Sequence, residues 1–138
     1  MRSWAWWVLV VIAVSGPWYG VTRAPQWRRV TWIPFHGAED KPQDMAANFI
    51  LWVPFGLSFA RERRGAARVA AAVAATLGIS CAVEAAQLFF VLRDPSATDV
   101  VVGALGSAAG SVAAQAFDRR DPRGAARGRE TREAGGEQ

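Results

Sequence analysis

The sequence predicts an all-α, polytopic membrane protein, a bundle of about four transmembrane helices. Hydrophobic residues fill 51% of the 138 positions, yet the mean hydropathy is only +0.08, so apolar residues must be concentrated in blocks. The sequence contains four such blocks, at 4–20, 45–60, 69–92 and 100–117. Between them the joints are strongly polar, and inside the blocks Glu84 is the one charged residue.

The blocks are close to the length that a membrane span requires. The hydrocarbon core of a bilayer takes about 20 apolar residues per helix, with a range of roughly 17–25. Three blocks lie near the lower limit, which predicts short spans. A soluble globular core is the alternative, but its helices would need a polar face, and these blocks have none. The sequence therefore favours a multi-pass protein of the cell membrane.

The arginines predict the orientation of the bundle. Of the 16 basic residues all but Lys41 are arginine, and most lie before the first block, between the second and third, or after the fourth. Cytoplasmic segments carry such an excess, so both termini are predicted to be cytoplasmic. The same placement argues against a nucleic-acid partner for the chain. The basic tail at 121–138 is predicted to be attracted to anionic lipid, with RNA binding as the remote alternative. The residues assigned to the inside are Arg2, Arg61, Arg63, Arg64, Arg68, Arg119, Arg120, Arg123, Arg127, Arg129 and Arg132.

The first block has two interpretations. Arg2 followed by an apolar stretch and the small residues at 13–15 is typical of a cleaved secretory signal. Tryptophan and tyrosine at both ends of the block instead favour a helix that stays in the membrane. The predicted organisation is a first transmembrane helix and the start of an outer loop at 1–28, a membrane domain at 29–117, and a disordered basic cytoplasmic tail at 118–138.

Glu84 is the leading functional candidate. An ionisable group near the middle of a spanning helix costs roughly 2.5–3.5 kcal/mol, so it normally has a partner or faces a water-filled cavity. A helix continuing to Leu92 would place Glu84 about 12 Å below its outer end. Arg93 would then be too far away for direct pairing, and Asn48 or Gln87 is the predicted partner.

Polar residues near Glu84 converge on the outer side of the predicted bundle. Glu84 and Gln87 share one helix face by their i,i+3 spacing, and Asn48 begins the second helix on the same side. The turn after the third block can cap the fourth helix through Ser96, Thr98 or Asp99. The predicted ligand-binding residues are Asn48, Glu84, Gln87, Arg93, Ser96 and Asp99.

The fourth block carries a small-residue face. Gly106 and Gly110 form a GxxxG pair, with Gly103 one turn earlier, and such faces let another helix approach closely. They predict either tight packing inside the bundle or a homo-oligomer formed through the fourth helix. Cys81 is expected to be a buried packing residue, and the lone His36 a solvated loop residue, so no metal site is predicted.

Several motifs resemble the VanZ-like family of bacterial membrane proteins over about residues 29–117. The resemblance departs from the family pattern at Gly103 and Thr31, where relatives usually have asparagine. The matching segments are Ile33-Pro34-Phe35, Asn48-Phe49-Ile50-Leu51-Trp52-Val53-Pro54-Phe55-Gly56, Ser80-x-x-x-Glu84-x-x-Gln87, Arg93-x-x-Ser96-x-x-Asp99, Gly106 and Gly110.

This resemblance implies a small protein of the cell envelope, in a family whose founding members are linked to resistance to the glycopeptide teicoplanin. We expect an accessory factor whose outer polar cluster binds or excludes a glycopeptide or a lipid-linked envelope molecule. The alternatives are a membrane-embedded enzyme, with Glu84 as general acid or base and Arg93 holding an anionic head group, and a small transporter or proton relay. No nucleophile motif, metal cluster or phosphate loop is present in the sequence, so no cofactor is predicted.

Overall fold

The computed structural model describes residues 3–16, 20–37, 41–62 and 67–120. Over these residues it contains four α-helices: α1 (Ser3–Val14), α2 (Pro42–Arg61), α3 (Arg68–Gln87) and α4 (Ala97–Arg120). A short 3-10 helix, Trp27–Arg29, lies in the long loop between α1 and α2, and the described residues form isolated β-bridges but no strand. The all-α prediction is confirmed. The predicted tail beyond residue 120 lies outside the described residues. So do Arg2, Arg63 and Arg64 of the arginines assigned to the inside, and the aromatic residues Trp18 and Tyr19.

Contacts at the two ends of the helices show that they run alternately up and down. At one end the Ser3 amide donates to the carboxylate of Glu62, just after α2, at 2.6 Å. There Arg68, at the start of α3, pairs with Asp118 near the end of α4, also at 2.6 Å. At the opposite end the side chain of Gln87 reaches the Ser15 carbonyl at 3.1 Å. Both ends of the described chain therefore lie on one side of the bundle.

Two of the four helices are long and apolar enough to cross a membrane. They are α3 and α4, with mean hydropathies of 1.8 and 1.6 over their most apolar stretches. By the same measure α1 is too short, at 12 residues, because it ends before Gly16 and Pro17, which favour helix termination. The 20 residues of α2 include Asp44 in the first turn and Arg61 in the last, which lower its hydropathy. Four spans are thus not established by length and composition.

An aromatic core joins α1 to α2. The Trp4 ring packs edge-on against Phe55 and Phe59, with ring centroids 6.4 and 5.7 Å apart, and Trp52 packs against Phe55 at 5.2 Å. Trp52 and Phe55 are almost wholly buried. Full burial of each such side chain is worth about 1.5–3 kcal/mol. Trp4 is partly buried and packs against this core from α1.

The glycines of α4 lie against the backbone of α2. A β-carbon at Gly106 would come within 2.3 Å of the Phe49 carbonyl oxygen, and one at Gly110 within 2.0 Å of the Val53 carbonyl oxygen. In α2 itself, Gly56 meets the Ser107 carbonyl oxygen at 2.0 Å in the same way. Of the two uses predicted for this small-residue face, the structure shows packing within the chain. Self-association through the same face would have to displace α2.

Candidate functional site

The third helix ends earlier than the hydrophobic block suggested. Helix α3 stops at Gln87, and the chain turns back through bonds such as that from the Phe90 amide to the Gln87 carbonyl at 2.9 Å. We call residues 88–96, which lead back to α4, the return segment. Glu84 consequently lies in the last turn of α3, and the predicted depth of about 12 Å below the helix end is wrong.

The return segment supplies the partner of Glu84. The Ser96 amide donates to the Glu84 carboxylate at 2.8 Å. The two partners predicted from the sequence bond elsewhere: Asn48 donates to the Asp99 carbonyl at 2.9 Å and Gln87 to the Ser15 carbonyl at 3.1 Å. Ser96 directly precedes α4, where main-chain amides lack helical partners, so a carboxylate from another helix can satisfy one of them. The sequence gives no signal for such a main-chain donor.

Ser96 also caps the fourth helix. Its hydroxyl accepts a hydrogen bond from the Thr98 amide at 3.1 Å, which is the usual geometry of a serine N-cap. Among the three caps considered from the sequence, Ser96 has this role, and Thr98 instead uses its hydroxyl to accept from the Phe35 amide at 2.9 Å.

Residues 20–37, between α1 and α2, hold the return segment on two sides, and we call them the outer loop after their predicted orientation. On one side Thr31 exchanges main-chain hydrogen bonds with Pro95 and Ala97, both at 2.9 Å. On the other side the Val91 amide donates to the Gly20 carbonyl at 3.0 Å. These bonds hold Ser96 in the position from which its amide reaches the carboxylate of Glu84. Thr31, one of the two departures from the family pattern, therefore acts here through its main chain.

Arg93 connects the return segment to the end of α1. Its guanidinium donates to the Ser15 carbonyl at 2.5 Å and to the Gly16 carbonyl. Its Nε atom is buried and has no hydrogen-bond partner among the described residues. In the enzyme alternative Arg93 holds an anionic head group. In the structure one of its terminal nitrogens already donates to two main-chain carbonyls.

A cavity of about 510 Å³ opens between the helices at this end of the bundle, and we call it the outer cavity. Five of the six predicted ligand-binding residues line it, while Ser96 lies behind Glu84. Asp44 adds a third carboxyl group beside those of Glu84 and Asp99, against one guanidinium, so the lining is acidic overall. The cavity is suited to a polar group rich in hydrogen-bond donors. Its polar lining comprises Ser15, Asp44, Asn48, Ser80, Glu84, Gln87, Arg93 and Asp99.

A second, apolar cavity of about 370 Å³ lies between α3, α4 and the outer loop, and we call it the apolar groove. Trp27 and Trp32 stack on each other at its edge, with ring centroids 6.2 Å apart. Cys81 also lines it and is exposed, so the prediction of a buried cysteine is wrong. Glu84 lines both cavities and forms part of the wall between them. In the sequence, Trp27 and Trp32 are the residues that could have indicated this groove, which was not predicted.

The described residues show no metal-binding arrangement. No group of three or more histidine, cysteine, aspartate or glutamate side chains in this part of the chain could hold a metal ion. His36 is exposed, and its Nδ1 atom lies 2.9 Å from the Pro34 carbonyl oxygen. The chemistry that the site offers is hydrogen bonding and charge from the outer cavity, next to an apolar surface.

Comparison with protein families supports the motif resemblance. The model of the VanZ/LLP1 family matches residues 3–118, which includes α1 as well as the segments that carry the motifs. Comparison with curated proteins and with solved structures gave no match. Since the family model covers most of the sequence, the chain belongs to the VanZ/LLP1 family.

Proposed function

We propose that this chain is a multi-pass membrane protein of the bacterial cell envelope that acts as an accessory factor affecting susceptibility to glycopeptide antibiotics. In this proposal the outer cavity binds an envelope-related ligand, a glycopeptide or a lipid-linked molecule. Membership of the VanZ/LLP1 family supports the envelope context. The two cavities around Glu84 support binding.

The exposure of apolar side chains supports a membrane location. In the most apolar stretch of α3 only 17% of the residues are buried, whereas the core helix of a soluble protein is mostly buried. An apolar surface of this kind must contact something other than water, and for helices of this length we expect that to be lipid. The exposed large side chains on the helices include Trp6, Leu9, Ile12, Ile50, Leu77, Leu105, Val112 and Phe117.

The position of Glu84 in the wall between the two cavities is the observation that carries the binding proposal. A ligand that fills both cavities must be amphipathic, with a polar part against the acidic lining and a hydrocarbon part in the groove. Acylated glycopeptides and lipid-linked precursors both have this construction. The acidic lining favours a polar part that bears amino groups or other donors, by charge complementarity. This argues for an acylated glycopeptide over an anionic lipid head group.

We expect the outer cavity to face the outside of the cell, since the arginine excess assigns the opposite end to the cytoplasm. The test uses single cysteines introduced into a Cys81→Ser background and an impermeant thiol reagent added to intact cells. His36→Cys should react, because residue 36 is exposed in the outer loop, and Ala67→Cys, exposed before α3, should be protected. Labelling of Ala67→Cys with protection of His36→Cys would reverse the orientation.

The binding proposal predicts that filling the apolar groove abolishes function. Ala85 lines the groove, whereas Ala86, its neighbour on α3, is exposed but lines neither cavity. Wild-type protein expressed in a susceptible bacterial host should raise the minimal inhibitory concentration of teicoplanin. Ala85→Trp should remove this effect because the indole occupies the space of the acyl chain, and Ala86→Trp should keep it.

Membrane abundance of both variants, measured by immunoblotting, is the control for this experiment. Equal protection by Ala85→Trp and Ala86→Trp at equal abundance would exclude the groove as a ligand site. Absence of any change in glycopeptide susceptibility on expression of the wild type would contradict the proposed function itself.

A further inference from the structure

In the described part of the chain, three buried hydroxyl groups in the middle of the bundle lack hydrogen-bond partners. Thr76 and Ser107 are 0% exposed and Ser80 is 5% exposed. None of the three hydroxyl oxygens has a partner within the residues that the structure describes. Buried polar groups in proteins nearly always bond to protein or to ordered water, so these three require an explanation.

The hydroxyls continue the line of polar groups that begins at Glu84. Thr76, Ser80 and Glu84 recur at intervals of four residues and therefore share one face of α3. With a rise of about 1.5 Å per residue, Thr76 lies roughly 12 Å from Glu84 along the helix, towards the other end of the bundle. Ser80 already lines the outer cavity, so the line of hydroxyls begins where the cavity ends.

Helix α4 meets this face of α3 with small residues. A β-carbon at Gly103 would lie 3.4 Å from the Ser80 hydroxyl, which places Gly103 beside Ser80. Because the two helices are antiparallel, helix geometry places Ser107, four residues after Gly103, at about the level of Thr76, four residues before Ser80. In the other direction, Asp99 and Glu84 both line the outer cavity. The same β-carbon at Gly103 would lie 2.7 Å from the Trp52 indole nitrogen, and the Ser107 backbone packs on Gly56 of α2, so α2 closes this region on one side. We call the succession of levels Glu84/Asp99, Ser80/Gly103 and Thr76/Ser107 the polar column.

We infer that this column holds a file of water molecules that extends the outer cavity as far as Thr76 and Ser107. Water would bridge the three hydroxyls and give each the partner that the protein does not supply. The inference goes beyond ligand binding at the outer cavity, because it places Glu84 along a hydrated path rather than at the bottom of a closed site. The dry alternative is that each hydroxyl turns back to bond a carbonyl of its own helix.

Silver-ion accessibility of introduced cysteines tests the inference in the full-length protein in lipid vesicles. Ag⁺ is small and binds thiolates, and a thiol ionises to thiolate where water reaches it. In a Cys81→Ser background, the variants are Ser80→Cys, Thr76→Cys and Ser107→Cys, which keep side chains of nearly the original size. Leu77→Cys is the matched control, since Leu77 neighbours Thr76 in sequence but is 39% exposed and points away from the interior of the bundle.

The readout is the loss of maleimide labelling, after denaturation, that follows silver treatment in a nitrate buffer. A water file predicts that Ser80→Cys, Thr76→Cys and Ser107→Cys lose most of their labelling, while Leu77→Cys keeps it. Should one cysteine variant fail to fold, the others report the same path. Silver protection of Thr76→Cys and Ser107→Cys no greater than that of Leu77→Cys would overturn the inference, even if Ser80→Cys reacts, because the column would then be dry below the outer cavity.

Discussion

Replacement of Gly110 by alanine is expected to destabilise the protein by about 3 kcal/mol or more. The added β-carbon would lie 2.0 Å from the Val53 carbonyl oxygen and 2.9 Å from the Leu57 amide nitrogen, and these backbone atoms cannot move aside as a side chain can. The two helices would have to separate, which would also disturb the bond from the Ser111 hydroxyl to the Gly56 carbonyl at 3.1 Å. The measurement is thermal unfolding of the purified protein in detergent.

Gly78 provides the matched control for this substitution. It also lies inside a helix, but a β-carbon there would have no neighbour within 4 Å. Gly78→Ala should leave stability unchanged or raise it by about 0.5–1 kcal/mol, because alanine is the better helix former. Similar unfolding temperatures for Gly110→Ala and Gly78→Ala would show that α2 and α4 do not cross as closely as described.

The second large effect concerns Glu84. Glu84→Gln keeps a side-chain oxygen that can accept the Ser96 amide hydrogen bond, so we expect it to fold like the wild type. Glu84→Leu removes the acceptor and leaves that amide unpaired, at a cost of about 1–3 kcal/mol relative to Glu84→Gln. Thermal unfolding of the two variants separates the structural role of this hydrogen bond from the role of the carboxyl group. Equal stability of both would show that the Ser96 contact contributes little to the fold.

The presence of the four helices could be predicted from the hydrophobic blocks, since uninterrupted apolar stretches indicate helices. The residues at which those helices begin and end could not be predicted in this way. Residues 88–92 are as apolar as the helix before them, so composition predicted one continuous helix to Leu92, whereas the chain leaves the helix at Gln87. Main-chain bonds to the outer loop, such as that from Thr22 to Phe89 at 2.8 Å, hold the return segment, and composition does not reveal such long-range pairing.

At the candidate site, too, the sequence predicted which residues come together but not which hydrogen bonds they form. The residue types and their spacing placed Asn48, Glu84, Gln87, Arg93 and Asp99 on one side of the bundle, and the structure gathers them around one cavity. The individual bonds differ, because the main chain supplies most of the partners: a carbonyl of residue 15 for Gln87 and Arg93, and the amide of Ser96 for Glu84. Every residue carries these groups, so a sequence motif cannot point to the ones that are used.

The most direct test of the proposed site is the minimal inhibitory concentration of teicoplanin for cells that express Glu84→Gln at the membrane abundance of the wild type. The glutamine side chain preserves size and hydrogen bonding and removes the ionisable carboxyl. If that carboxyl acts in ligand binding, susceptibility should return to the value of cells carrying an empty vector. Protection equal to that of the wild type would contradict a functional role for Glu84 and leave it as a structural partner of the Ser96 amide.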